Sequence, residues 1–140
     1  MGAVFGAVGG GTASADSNSD GARDAACEFA RNLSSYDYRD VDGYNARVLA
    51  LTTGELRERL SRSQATLAQL LIARQVHAEA GKVVCDVESD SGVSVRVRVA
   101  AEQVVTSQES GQPQSSTTDM VVTEQNVDGL WLASDMDTVG

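Results

Sequence analysis

Val93-Ser94-Val95-Arg96-Val97-Arg98-Val99-Ala100 alternates apolar and polar residues without a break, the period of a strand with one buried face and one solvated face. A second run precedes it, Lys82 to Glu88, with Val83, Cys85 and Val87 on one face and Val84, Asp86 and Glu88 on the other. Asp90-Ser91-Gly92 supplies the turn between them. Downstream, Thr117 to Asn126 and Leu130 to Thr138 read as two further strands. They are joined by Asp128-Gly129, the dipeptide preferred where both central turn residues need positive φ. A polar segment, Ser107 to Ser116, carries the only proline, Pro113, and separates the second strand from the third.

Upstream of the strands the period is helical. Leu56, Leu60, Leu67, Leu70 and Leu71 form an apolar stripe, with Glu55, Arg57, Glu58, Arg59 and Arg62 mostly on the solvent side. Thr52-x-x-Glu55 reads as a capping box at the start of this helix, which is predicted to end near Arg74. A short helix capped by Asp40 runs through Leu49. A first helix starts after Asp20, with Ala25, Cys27, Phe29 and Leu33 on one face. Tyr36, Tyr38 and Tyr44 are placed to clasp the junction of these helices. Helices first and strands last predict an α+β domain, three N-terminal helices packed on a four-stranded antiparallel sheet. The domain is expected from residue 19 to residue 140, and residues 1–18 as a flexible tail or linker. Within that tail Gly2 to Gly11 is apolar but far short of the roughly 20 residues that span a bilayer. It reads as the end of a membrane anchor or as appended sequence.

Composition excludes several functions. Net charge is −9, and the ten arginines and single lysine are scattered. Nucleic-acid and anionic-lipid surfaces both need massed cations. Aromatic residues make up 4% of the chain, so the core is expected to be aliphatic. Cys27 and Cys85 have neither metal-knuckle nor Cys-x-x-Cys spacing. They are either buried thiols or one disulfide tying the first helix to the first strand. Closing such a loop stabilises by about 4 kcal/mol in the chain-entropy model.

Chemistry-bearing residues are few. His77 is the only histidine and is read as a solvated residue at the end of the third helix. Asp37 between Tyr36 and Tyr38 has the residue types of an acid with tyrosine donors, but the turn-forming role is favoured. Asp86 and Glu88 are expected to pair with Arg96 and Arg98 across neighbouring strands, if register permits. Gly9-Gly10-Gly11 follows no strand and fails as a nucleotide-binding loop. No catalytic, cofactor-binding or metal-ligating set emerges. Trp131 is read as a sheet anchor before a binding platform. Arg96, Arg98 and Trp131 are the interaction candidates, with the 107–116 loop second.

Four segments carry a resemblance: Ala25-Ala26-Cys27-Glu28-Phe29-Ala30, Ser35-Tyr36-Asp37-Tyr38-Arg39, Val48-Leu49-Ala50-Leu51-Thr52-Thr53-Gly54-Glu55-Leu56 and Asp128-Gly129-Leu130-Trp131-Leu132-Ala133-Ser134-Asp135. Together they resemble the soluble domain of actinobacterial Mce-associated membrane proteins, whose fold is the nuclear transport factor 2-like (SnoaL-like) cone. The resemblance implies a curved sheet and an extracytoplasmic position behind an N-terminal membrane helix. It further implies a non-catalytic accessory role in an Mce-type lipid or sterol import complex. The partners it implies are Mce transporter components or other envelope proteins, with lipid as a further class. The oligomeric state stays open. An extracytoplasmic position favours the Cys27–Cys85 bond. Two alternatives remain on the same architecture, a cone that binds a small apolar ligand and a cone-type isomerase or hydrolase.

Overall fold

The computed structural model describes residues 13–139. The apolar stretch Gly2 to Gly11 lies outside the described residues. The elements run α1 (Ala13–Leu33), β1 (Tyr36–Asp37), α2 (Val41–Ala50), α3 (Gly54–Arg74), β2 (His77–Asp90), β3 (Ser94–Thr106), β4 (Gln114–Val127) and β5 (Leu130–Thr138). The strands form one antiparallel meander in the order β1-β2-β3-β4-β5, with the three helices packed on it. The sheet has one strand more than the alternation indicates, because β1 is two residues long and too short to show a period. No described helix is long and apolar enough to cross a membrane.

α1 begins at Ala13, so Asp20 lies inside the helix and not at its cap, and the stretch from Ala13 that was expected as linker is helical. Once a helix is nucleated, each added residue gains a backbone bond for little cost, and Ala13 and Ala15 favour the extension. Its buried face is Ala22, Ala26, Phe29 and Ala30, with Leu33 packed at the end. Gly21 lets the helix approach Trp131 closely: a β-carbon there would stand 3.1 Å from the indole Nε1. Trp131 is thus a core anchor beneath α1.

α2 is capped as expected, the Asp40 carboxylate accepting the Gly43 N–H at 3.2 Å. The capping box of α3 does not form. Thr52 is buried and donates its hydroxyl to the Leu49 carbonyl at 2.8 Å, while Thr53 takes the cap position without a side-chain bond. The competing interaction is a parallel bridge to the sheet edge. Thr53 N–H donates to Ala133 O at 2.8 Å and Ala133 N–H to Leu51 O at 2.9 Å. Along α3, Leu56 and Leu71 are buried and Leu60 and Leu67 pack on the core, whereas Leu70 faces solvent.

The valine alternation is realised within β3, where Val95, Val97 and Val99 are completely buried, as is Val122 across from Val97; Val93, ahead of the strand, is exposed. The β2–β3 pairing is irregular in β2, between Ala80 and Val83 and between Val87 and Ser89, and the β4–β5 pairing shifts between Thr123 and Glu124. Asp128 and Gly129 both take positive φ in the last hairpin, and Asn126 accepts the Gly129 N–H at 2.9 Å. Cys27 and Cys85 are joined in a disulfide, Cα to Cα 6.0 Å, which fixes the middle of α1 to β2.

Candidate functional site

Two faces and the interior were the places for function. Among the described residues, Phe29, Leu56, Val95, Val97, Val99 and Val122 pack the space between helices and sheet. A cleft at the helix end, between Leu33, Tyr44, Val48, Leu60 and Leu67, measures about 60 Å³.

One carboxylate nevertheless lies inside. Glu124 of β4 points to the core face between Val95 of β3 and Ala133 of β5, and is 1% exposed. Neither carboxylate oxygen has a hydrogen-bond partner. Burial without compensation disfavours the charged form and pushes its pKa up to about 8. A glutamate at that point of a strand reads as solvated, because Glu is seldom buried unless paired.

The second arrangement is at the β1 end of the sheet. Pairing of β1 with β2 sets Asp37 opposite His77, and Asp37 Oδ2 lies 2.8 Å from His77 Nδ1. His77 heads β2 and is not a free helix-terminal residue. Arg39 donates through Nε and Nη2 to the same carboxylate at 2.9 and 2.7 Å, and its backbone N–H adds a third bond at 2.7 Å. These bonds from Arg39, with a smaller one from His77, hold the Asp37 carboxyl well below the usual carboxylate range. A cleft of about 220 Å³ opens here between Ser35, Tyr36, Asp37, Arg47, His77 and Glu79. Ser35 is not available as a nucleophile, since its hydroxyl donates to Arg31 O at 2.8 Å and accepts from the Ala80 N–H. Of the three tyrosines expected to clasp the helix junction, Tyr36 and Tyr44 meet there, while Tyr38 lies under the Arg39 guanidinium. Tyr36 and Tyr44 meet edge to face at 5.4 Å and the Tyr44 hydroxyl donates to Leu33 O at 2.8 Å; burial pushes the Tyr44 phenol up. The dyad is thus a structural tie at the junction of β1 and β2, and no described triad of metal-ligating side chains is present.

The third arrangement is the outer face of the sheet. Arg96 and Arg98 both reach Glu88 on β2, at 3.3 and 3.9 Å. Register sets Asp86 opposite Arg98. All three side chains are well exposed, so such pairs contribute little to stability. Arg98 also lies opposite Val121, which is buried on this outer face. Trp131 is on the other face, so the three interaction candidates do not form one patch.

No protein-family model matches the sequence, and no curated protein matches it either. Solved structures do. CagV, a VirB8 homologue of the type IV secretion system (T4SS) from Helicobacter pylori, superposes with a TM-score of 0.65 at 10% identity, over 84% of this chain and 95% of that one. The periplasmic domain of DotI gives 0.59 at 12% identity over 99% of both chains. An Ntf2-like protein involved in plasmid conjugation gives 0.54 at 19% identity, over 85% of this chain and 48% of the other. At these identities the likeness is one of fold. The chain has the nuclear transport factor 2-like α+β architecture, three helices on a curled antiparallel sheet.

Proposed function

We propose that this chain is a non-catalytic accessory domain of a cell-envelope assembly, working on the extracytoplasmic side by protein–protein contact. The observation that carries the reading is the close packing of the described core, where Phe29, Leu56, Val95, Val97, Val99 and Val122 are fully buried between helices and sheet. Small-molecule pockets usually enclose some 300–1,000 Å³, whereas the clefts seen among the described residues measure about 60 Å³ to about 280 Å³. The single buried acid faces Val95 and Ala133, with no donor to complete a catalytic pair. The disulfide supports an oxidising compartment. The structural neighbours support the same reading, since they include a T4SS protein and a periplasmic domain.

The finer assignment is to an Mce-type lipid or sterol import complex, on the strength of the Tyr36-Asp37-Tyr38 and Leu49-to-Leu56 segments quoted above. Residues upstream of α1 are assigned as the link to a membrane anchor. The outer face, with Arg96 and Arg98, is assigned as the docking side, and the loop after β3 as its margin. Deletion of the gene tests both levels. Loss of transporter subunits from the envelope together with reduced lipid uptake is expected. Wild-type transporter levels and uptake contradict the Mce assignment. A further absence of any change in envelope complexes contradicts the accessory role itself.

A further inference from the structure

The two edges of the sheet are finished differently. At β5, Thr53 N–H and Leu51 O both bond to Ala133, so the segment ahead of α3 covers that edge. At β2, the short β1 covers only His77 and Ala78, and the Ser35 hydroxyl accepts the Ala80 N–H. From Gly81 to Asp90, β2 has no strand beside it except β3. An open edge presents unpaired N–H and C=O groups, a template for another strand.

The register tells which groups these are. Gln103, Ala101, Val99 and Val97 stand opposite Ala80, Val83, Cys85 and Val87. They lie two apart along β3, whose pairing with β4 runs without a shift, so all four turn their backbones the same way. The Ala80 N–H points away from β3, toward Ser35, and Val83, Cys85 and Val87 therefore point theirs outward as well. Among the described residues those three have no backbone partner on that side. Val84 is 44% and Val87 37% exposed. The register shifts of β2 bracket the stretch Val83 to Val87, which is regular and has Cys85 at its midpoint. α1 leaves this rim clear. It faces the sheet with Ala22, Ala26 and Phe29, meets β5 from one flank through Gly21, and meets β2 from the other through Cys27. At 3.6 residues per turn that places its axis above β3 and β4 and not above β2.

We propose that Val83 to Val87 is a self-association edge, pairing antiparallel with the same segment of a second copy across a two-fold axis at Cys85. In this register Cys85 faces Cys85 of the copy, and Val83 faces Val87 in both directions. All have outward backbones, so every such pair exchanges both of its hydrogen bonds. Sliding the copy by two residues in either direction leaves an outward residue unmatched. Charge selects the same partner. Lys82 lies at one end of the open stretch, and Asp86, Glu88 and Asp90 lie at the other. Antiparallel pairing sets each lysine against the acidic end of the copy, across from Glu88. The bulges at both ends bend the strand out of line and end the pairing there, and the two-fold axis closes the contact on itself. A paired stretch of about 17 Å is a small contact and makes a transient dimer.

Sedimentation velocity of the intact, oxidised chain, at about 0.15 M ionic strength so that the like net charges are screened, tests the pairing. A reversible monomer–dimer equilibrium is expected, with a dissociation constant on the order of 100 µM. Hydrogen exchange read by NMR is expected to show protection rising with protein concentration at the Val83, Cys85 and Val87 amides. Val84 and Asp86, whose N–H groups face β3, are expected not to change. Val87→Pro removes an outward donor that the β2–β3 ladder does not use, and is expected to abolish the dimer. Lys82→Glu is expected to weaken it about tenfold, because the two-fold axis counts the change twice. A chain monomeric up to about ten times that dissociation constant overturns the proposal. So does a dimer that both variants leave intact, or protection that rises at other amides instead. Protection of these amides only on adding an extract of the host's envelope assigns the edge to a foreign strand and likewise overturns the pairing of copies. Should Val87→Pro fail to fold, Lys82→Glu and the exchange pattern of the native chain decide.

Discussion

Glu124 makes the chain's stability depend on pH in a direction opposite to most carboxylates. Its folded pKa, about 8, is above its ordinary value of 4.5. The unfolded chain therefore loses this proton first, and the contribution is greatest below the unfolded value and is lost as pH rises toward the folded one. At neutral pH the deficit is of order 3 kcal/mol. Glu124→Gln is accordingly expected to raise Tm at pH 7 and to lose that advantage at pH 4, as read by thermal melts at both values. Asp37 has the opposite sign. Arg39 depresses its pKa, so its contribution is present above the unfolded value and fades as acid approaches the folded one. Asp37→Asn is expected to remove part of the acid limb of the stability profile and to free His77 Nδ1, visible as a changed imidazole shift in NMR. Neither role was legible in the sequence. The 120–122–124 alternation places Glu124 on the inner face, but its charge argues outward. Asp37 and His77 meet only because β1 pairs with β2, and β1 is too short to announce itself.

At the scale of elements, the disulfide does what the leucine stripe of α3 cannot. It fixes α1, which turns mostly small residues inward, to β2. Replacing Cys27 and Cys85 together with serine is expected to cost about 4 kcal/mol and to lower Tm by more than about 10 °C in a thermal melt. At the start of α2, Asp40→Ala removes the only side-chain cap described for a helix and is expected to cost about 1 kcal/mol by denaturant titration. Sequence reading worked well for elements with a period. β3 and β5, the Asp128-Gly129 turn and the end of α3 at Arg74 fall where alternation and turn chemistry put them. It failed where a tertiary contact displaced a local motif. Thr52 satisfies the capping-box pattern, yet the edge of β5 claims this segment and draws Thr52 into the interior. Leu70 fits the helical stripe by spacing but falls beyond the width of the buried face.

For the whole molecule, charge and packing point the same way. With a net charge of −9 and a described core closely packed by valine, phenylalanine and leucine, the contacts proposed above fall to the surface. Replacing Arg96 and Arg98 with glutamine is expected to leave folding within about 1 kcal/mol of the parent, since both are exposed and their pairs with Glu88 are weak. The same change is expected to abolish recovery in the envelope assembly on affinity purification. Helix-then-strand order was enough to read the α+β class. What the order did not reveal is whether the cone is hollow, because that depends on how Phe29 and the valine rows meet across the fold. Native mass spectrometry of the oxidised chain purified from its own host's envelope tests this most directly. The account predicts the mass of the bare polypeptide less two hydrogens, and a stoichiometric apolar adduct that survives purification would contradict it.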